Sequence, residues 1–137
     1  MTPESISVLI VDDQSGVRYL LDIIVREEGH KVYTAENGME AVEMVRSVHP
    51  DLVFMDVRMP VMSGLEALVK IKKMAPATQV VIMTAYGAEE TVEAAMRGGA
   101  LTCIAKPFDV EEIKDFLQEF CWKRASLPSC TDGACCG

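Results

Sequence analysis

Five short apolar runs, rich in β-branched residues, alternate along this chain with segments of helical periodicity. Such runs are typical of buried strands, and they occupy residues 6–11, 32–34, 52–55, 80–83 and 101–105. Successive parallel strands need a crossover connection, and a helical segment follows each run. The order therefore predicts an α/β fold, with a doubly wound five-stranded parallel sheet and five helices that cover both of its faces.

The helical segments are marked by apolar residues that recur every three or four positions and by the residues that end them. The first ends at Gly29 and carries the stripe Val17, Leu20, Leu21, Ile24 and Val25. The next three span about 38–48, 64–73 and 89–97, and each is followed by a proline or a glycine. The last begins at Asp109 with Glu112 as a capping box, and its predicted apolar face consists of Val110, Ile113, Leu117 and Phe120.

Length and charge limit the classes of protein to which the chain can belong. With 137 residues, half of them hydrophobic, it suits one domain with a substantial core. No apolar run approaches the roughly 20 residues that span a bilayer. The opening MTPES lacks the basic start and apolar stretch of a secretion signal, so we expect a cytoplasmic protein without membrane contact. A net charge of −8 argues against direct binding to nucleic acid, which needs a basic face.

The patterned part of the chain ends near residue 121, and a cysteine-rich segment, SCTDGACCG, closes the sequence. We therefore predict one domain over residues 1–121 and a disordered tail over 122–137, from the composition and terminal position of that segment. The tail cysteines form no CxxC pair and have no histidine nearby, so zinc-site spacing is missing. The odd count of five cysteines in the chain and the expected cytoplasmic location disfavour a disulfide framework. A redox or metal role for them is the alternative.

Polar side chains follow four of the predicted strands, at the edge of the sheet where their carboxyl ends meet. They are Asp12 and Asp13 after the first strand, Asp56 after the third, Thr84 after the fourth and Lys106 after the fifth. Each alone has an ordinary explanation as a turn former, a strand former or a solvated cation. Together, three carboxylates in one crevice repel each other unless a cation or a proton offsets their charge. The sequence therefore predicts a site for a hard divalent cation such as Mg²⁺ at this edge.

The predicted site suits phosphoryl transfer. One carboxylate can act as the nucleophile, Lys106 supplies a fixed positive charge, and Thr84 supplies a hydroxyl donor. A hydrolase for small phosphate esters would share the metal site, and steady multiple turnover would be its signature. No general base beyond the acidic cluster is apparent in the sequence.

Four stretches resemble the receiver domains of two-component response regulators: VLIVDDQSGVR, DLVFMDVRMPVMSGLE, VIMTAYG and GALTCIAKPFD. The resemblance covers about residues 5–121 and implies a flavodoxin-like, CheY-like fold. It also implies a phosphoacceptor switch rather than an enzyme, one that assists its own Mg²⁺-dependent phosphorylation and loses the phosphoryl group slowly. Within the family, the motif sequences most resemble those of the single-domain regulator of the sporulation phosphorelay, and the receivers of nitrogen-regulatory activators share many of the same residues.

The resemblance implies a metal site with defined roles. Asp56 would be the phosphoacceptor, and Asp13 and Asp56 would be direct ligands of Mg²⁺, for which Mn²⁺ would substitute. Asp12 would act mostly through water, and the backbone carbonyl of Arg58 would be a third protein ligand.

The resemblance also implies how the phosphoryl group is held and shielded. Thr84 and Lys106 would hold its oxygens, and the Lys106–Pro107 bond would be cis. Arg58 and Tyr86 would flank it and crowd the attacking water, which favours slow self-dephosphorylation. Cys103 departs from the family, which often has an aromatic residue or a histidine there that moves with the threonine. We expect a half-buried small residue at this position and a different mode of output.

The partners follow from the same resemblance. The main interpretation is a module that takes a phosphoryl group from a sensor histidine kinase and passes it to a histidine phosphotransferase or another downstream effector protein. The predicted contact face consists of Gln14, Gly16, Val17, Leu20, Tyr86, Pro107 and Phe108. The alternative is the receiver domain of a transcription activator of the nitrogen-regulatory type that lacks its output domain. The segment WKRASLPSC after residue 121 resembles neither an ATPase nor a DNA-binding domain.

Overall fold

The computed structural model describes residues 5–59, 61–85 and 88–125, without the side chains of residues 124 and 125. Its strands are β1 (Ser7–Val11), β2 (Lys31–Ala35), β3 (Leu52–Asp56), β4 (Gln79–Ala85) and β5 (Thr102–Lys106). Its helices are α1 (Ser15–Glu27), α2 (Gly38–Val48), α3 (Gly64–Met74), α4 (Glu89–Arg97) and α5 (Val110–Ala125). The predicted alternation of five strands and five helices is confirmed for these ranges. Within them, no helix has both the length and the apolar character that crossing a membrane requires.

The sheet is parallel throughout and has the strand order β2-β1-β3-β4-β5. Helices α1 and α5 pack on one of its faces, and α2, α3 and α4 pack on the other. The direction of winding reverses between β1 and β3, because β2 lies on one side of β1 and β3 lies on the other. Ligands of such sheets bind outside the carboxyl ends of the strands at this reversal point.

The core has two layers, because successive strand residues point to opposite faces of the sheet. On β1, Val8 and Ile10 pack towards α1 and α5, whereas Leu9 and Val11 pack towards α2 and α3. All four of these side chains are fully buried. Strands that are buried on both faces form continuous apolar runs rather than alternating ones, which explains the pattern in the sequence.

Two helix ends show how the sequence sets element boundaries. Gly29, with a φ of 91°, follows α1 as predicted. At the start of α3, Ser63 Oγ accepts a bond from the Glu66 N–H at 3.2 Å, and the Glu66 carboxylate accepts one from the Ser63 N–H at 3.4 Å. This capping box was not predicted from the sequence, although its Ser-x-x-Glu motif is present there. The box predicted at Asp109 and Glu112 stays a prediction.

Several predicted boundaries and faces are wrong. Strands β3, β4 and β5 end later than predicted, so Asp56, Thr84 and Lys106 lie within strands rather than after them. Leu20 and Val110, which were expected on apolar core faces, are each 39% exposed, because the buried stripes of their helices are narrower than periodicity suggests.

Helix α5 continues to Ala125, beyond the predicted domain end at residue 121. Residues 126–137, with the tail cysteines, lie outside the described residues, and the division into domain and tail stays a prediction.

His30, which directly precedes β2, contacts the residue before β1 and helix α5 at the amino edge of the sheet. The Ile6 N–H donates to His30 Nδ1 at 3.2 Å, and His30 Nε2 lies 3.5 Å from Cys121 Sγ on α5. Burial lowers the pKa of His30, and the nearby charge of Glu28 opposes this shift only in part. The folded protein therefore favours the neutral ring, which the acceptor role of Nδ1 also requires.

We expect part of the stability to be lost when the pH falls. The folded pKa of His30 lies below its unfolded value of about 6.5, so its contribution is present above about pH 6.5 and is lost on acidification. Thermal unfolding measured from about pH 7.5 to about pH 5 should show a smaller pH dependence for His30→Gln than for the wild type. The matched control is His49→Asn, because His49 is exposed and Asn tolerates its φ of 53°. Equal pH slopes for His30→Gln and the wild type would contradict this assignment.

Candidate functional site

Three carboxylates converge at the carboxyl edge of the sheet, beside the reversal point. Asp12 and Asp13 follow β1, and Asp56 is the last residue of the neighbouring strand β3. One oxygen atom from each of them lies within 4.8 Å of the others. Asp12 is fully buried and Asp13 is exposed, so the cluster opens to solvent on one side. Carboxylate oxygens are the ligands that Mg²⁺ prefers, and this donor set fits the predicted divalent cation.

Lys106 bridges two of these carboxylates. Its Nζ donates to Asp12 Oδ2 at 2.7 Å and lies 3.3 Å from Asp56 Oδ1. Burial lowers the pKa of Lys106, but the hydrogen bond to Asp12 and the charges of Asp56 and Asp12 outweigh burial, so the pKa lies above its ordinary value. Three carboxylates and one ammonium group leave two net negative charges, which a single divalent cation offsets.

Asp56 lies at the centre of the site, with only 13% of its side chain exposed. Burial raises the pKa of Asp56, Lys106 opposes the shift, and the charges of Asp12 and Asp13 raise the pKa further. A carboxylate that burial and specific charged neighbours perturb in a cleft is typical of a functional site.

A cleft of about 650 Å³ gives access to these groups. Thr84 is buried on β4 and lines the cleft together with Asp56 and Lys106. Apolar groups form much of the remaining wall, among them Val17, Leu20, Val57, Ala85, Ala88, Pro107 and Phe108. The structure therefore brings together all five residues predicted at the strand ends, with Thr84 beside the acidic cluster rather than within it.

Other residues named from the sequence lie at the rim of the cleft. Arg58 is exposed and lines it, and the Lys106–Pro107 bond is cis, as the family resemblance implies. Tyr86 lies outside the described residues. Cys103 is half-buried and packs against the core beneath α4, and burial raises the pKa of its thiol. This environment agrees with the interpretation of Cys103 as a small apolar residue.

Gly64 packs closely against the backbone of Asp56 and Val57. A Cβ atom added to Gly64 would lie 2.2 Å from the Asp56 carbonyl oxygen and 2.9 Å from Val57 Cα. The Gly64 N–H donates to the Val57 carbonyl at 2.8 Å. The sequence predicts only that a helix begins near this residue. A glycine in the first turn of a helix, where other residues are more favourable, was the signal for this close approach.

Comparisons with known proteins agree with this geometry. A model of the response regulator receiver domain matches residues 8–118. The chain is 42% identical over 113 residues to sporulation initiation phosphotransferase F of Bacillus subtilis. The aligned region covers 82% of this chain and 91% of that protein. It is 40% identical over 111 residues to the regulatory protein AtoC of Escherichia coli. That aligned region covers 81% of this chain but only 24% of AtoC.

A solved structure shows the same fold. The CheX-CheY-BeF3-Mg²⁺ complex from Borrelia burgdorferi superposes with a TM-score of 0.79 and 31% sequence identity. The match covers 84% of this chain and 88% of the solved chain.

Proposed function

Because this chain belongs to the response regulator receiver family, we propose that it accepts a phosphoryl group on Asp56 from the phosphohistidine of a sensor histidine kinase. In this transfer the N–P bond of the donor breaks while a bond forms between phosphorus and an Asp56 carboxylate oxygen. The observation that supports the proposal is the convergence of Asp12, Asp13 and Asp56 within 4.8 Å, next to Lys106.

The metal assignment follows from the contacts of the three carboxylates. Asp13 and Asp56 would bind Mg²⁺ or Mn²⁺ directly, together with the backbone carbonyl of Arg58. Asp12 would act through water, because its two carboxylate oxygens already accept bonds from Lys106 at 2.7 Å and from the Gln14 N–H at 2.9 Å. When bound, the cation neutralises charge on the phosphoryl oxygens.

Lys106 and Thr84 would hold those oxygens. Lys106 already lies 3.3 Å from Asp56 Oδ1, and Thr84 is a buried hydroxyl donor on the adjacent strand. Apart from the aspartates of the acidic cluster, no histidine or glutamate lines the cleft in the part of the chain that the structure describes, so no further general base for water is present there. Arg58 at the rim would crowd the approach of water, and both features favour slow loss of the phosphoryl group. A phosphoacceptor therefore fits the cleft better than a hydrolase.

The apolar rim of the cleft is the proposed docking face for kinase and phosphotransferase. Val17, Pro107 and Phe108 line the cleft, and so does Leu20, which is 39% exposed. Apolar contact around a small patch with a polar centre is typical of such interfaces. We propose that the phosphoryl group is passed across this face to a histidine phosphotransferase, or that the phosphorylated face signals to another downstream protein.

A metal titration tests the proposed site. Mg²⁺ should raise the thermal unfolding midpoint of the wild type and should be required for labelling by acetyl phosphate. Asp13→Asn should abolish the Mg²⁺-induced rise and reduce labelling by at least about tenfold, because a ligand is lost. In chelator the same variant should be at least as stable as the wild type, because mutual repulsion falls.

The matched control is Asp22→Asn, on the side of α1 that pairs with Arg26 away from the cleft. It should keep both Mg²⁺ responses. Labelling that survives chelator or Asp13→Asn would contradict the metal site. Steady phosphate release without labelled protein would favour the hydrolase interpretation.

A further inference from the structure

Arg18 is a cation in the first turn of α1, where the partial positive charge of a helix N-terminus disfavours cations. Its own N–H makes the first bond of that helix, to the Gln14 carbonyl at 3.1 Å. Its side chain turns back out of the helix, and Nη1 donates to the backbone carbonyl of Asp12 at 2.6 Å. A short charge-assisted bond of this kind offsets the unfavourable placement.

Asp12 is held on every side by this arrangement. Its N–H donates to the Ala35 carbonyl at the end of β2 at 3.2 Å, and its carbonyl accepts the bond from Arg18. Its two carboxylate oxygens are engaged by the contacts described above. The residue that follows, Asp13, is exposed, so its position depends on the peptide that joins it to Asp12. Arg18 holds the carbonyl of that peptide.

We propose that Arg18 is a positioning residue, which fixes the Asp12–Asp13 peptide and thereby sets the affinity of the acidic cluster for Mg²⁺. The inference rests on the proposed metal role of that cluster. Two effects of Arg18 oppose each other there. Its positive charge repels a bound cation, whereas its hydrogen bond orients a ligand-bearing peptide. Groups that orient metal ligands typically change affinity by one to two orders of magnitude when removed. Orientation outweighs repulsion in this proposal.

Because repulsion and orientation have opposite effects on Mg²⁺ affinity, the direction in which the affinity of an Arg18 variant changes shows which of them is larger. Mg²⁺ affinity is measured from the shift in thermal unfolding, and Mn²⁺ binding is measured directly by electron paramagnetic resonance. Arg18→Gln should raise the half-saturating Mg²⁺ and Mn²⁺ concentrations about tenfold, although it removes a positive charge. Arg18→Lys keeps the charge and one donor, and its affinity should fall between those of Arg18→Gln and the wild type. Arg26→Gln removes the same charge from the last turn of α1, where Arg26 pairs with Asp22, and should bind as the wild type does.

Unchanged or tighter Mg²⁺ binding by Arg18→Gln, with normal binding by the wild type, would overturn this inference and leave the proposed function intact. A wild type that binds neither Mg²⁺ nor Mn²⁺ would overturn the proposed function and this inference with it. If Arg18→Gln does not fold, the Mg²⁺ affinity of Arg18→Lys provides the test instead. A several-fold weaker affinity than that of the wild type supports the inference, and wild-type affinity overturns it.

Discussion

Replacement of Asp56 by Asn should abolish phosphoryl labelling and leave the fold intact. The amide is nearly isosteric with the carboxylate, but it has no negative oxygen that can attack phosphorus. Purified protein is incubated with acetyl phosphate and Mg²⁺, and the added phosphoryl mass is read from the intact protein. Asp115→Asn, which lies on the exposed face of α5, is the control and should label as the wild type does. Labelling of Asp56→Asn at the wild-type level would show that the acceptor lies elsewhere.

The same variant should raise stability in chelator at neutral pH. Burial raises the pKa of Asp56, so ionisation of this carboxyl costs more free energy in the folded protein than in the unfolded chain. Its stabilising effect is present only at low pH and is lost as the pH rises through the raised pKa. A neutral Asn at this position avoids the penalty and still offers an oxygen to Lys106. A higher thermal midpoint for Asp56→Asn, with a smaller difference at acidic pH, is the expected result.

Gly64→Ala should lower the stability markedly, although Gly64 lies outside the acidic cluster. The added methyl group would lie 2.2 Å from the Asp56 carbonyl oxygen, and a backbone atom cannot yield as a flexible side chain does. Forced displacement of this kind typically costs about 1–3 kcal/mol. The loss should appear as a lower midpoint in guanidinium unfolding, and labelling should fall because the displaced backbone carries the acceptor.

The control for this substitution is Gly16→Ala on α1. Nothing lies within 4 Å of the added Cβ there, and alanine is more favourable than glycine in a helix, by up to about 1 kcal/mol. The two glycine variants should therefore shift stability in opposite directions. Wild-type stability and labelling of Gly64→Ala would refute the close approach of the two backbone segments.

The elements of this fold follow from local patterns, and those patterns are written in the sequence. A buried strand needs a short β-branched run, and a helix packed on a sheet needs an apolar stripe, so both can be identified without tertiary information. Parallel strands bring their carboxyl ends to one edge, and this rule alone predicts that Asp12, Asp13 and Asp56 converge. The prediction is confirmed by their carboxylate oxygens, which lie within 4.8 Å of one another. The metal that they hold and the phosphoryl group that they accept remain proposals.

Tertiary structure alone decided which specific contacts those groups make at that edge. Asp12 and Lys106 are 94 positions apart, and their contact depends on the order of the strands in the sheet, which local periodicity does not encode. The methyl-excluding contact of Gly64 arises in the same way, because two backbone segments pack against each other. The exposure of Leu20 does so too, since neighbouring helices determine how wide a stripe is covered. The sequence by itself determined the elements, the edge and the acidic residues, because these depend on neighbours along the chain. The fold decided the ion pairs and close approaches, because these depend on neighbours in space.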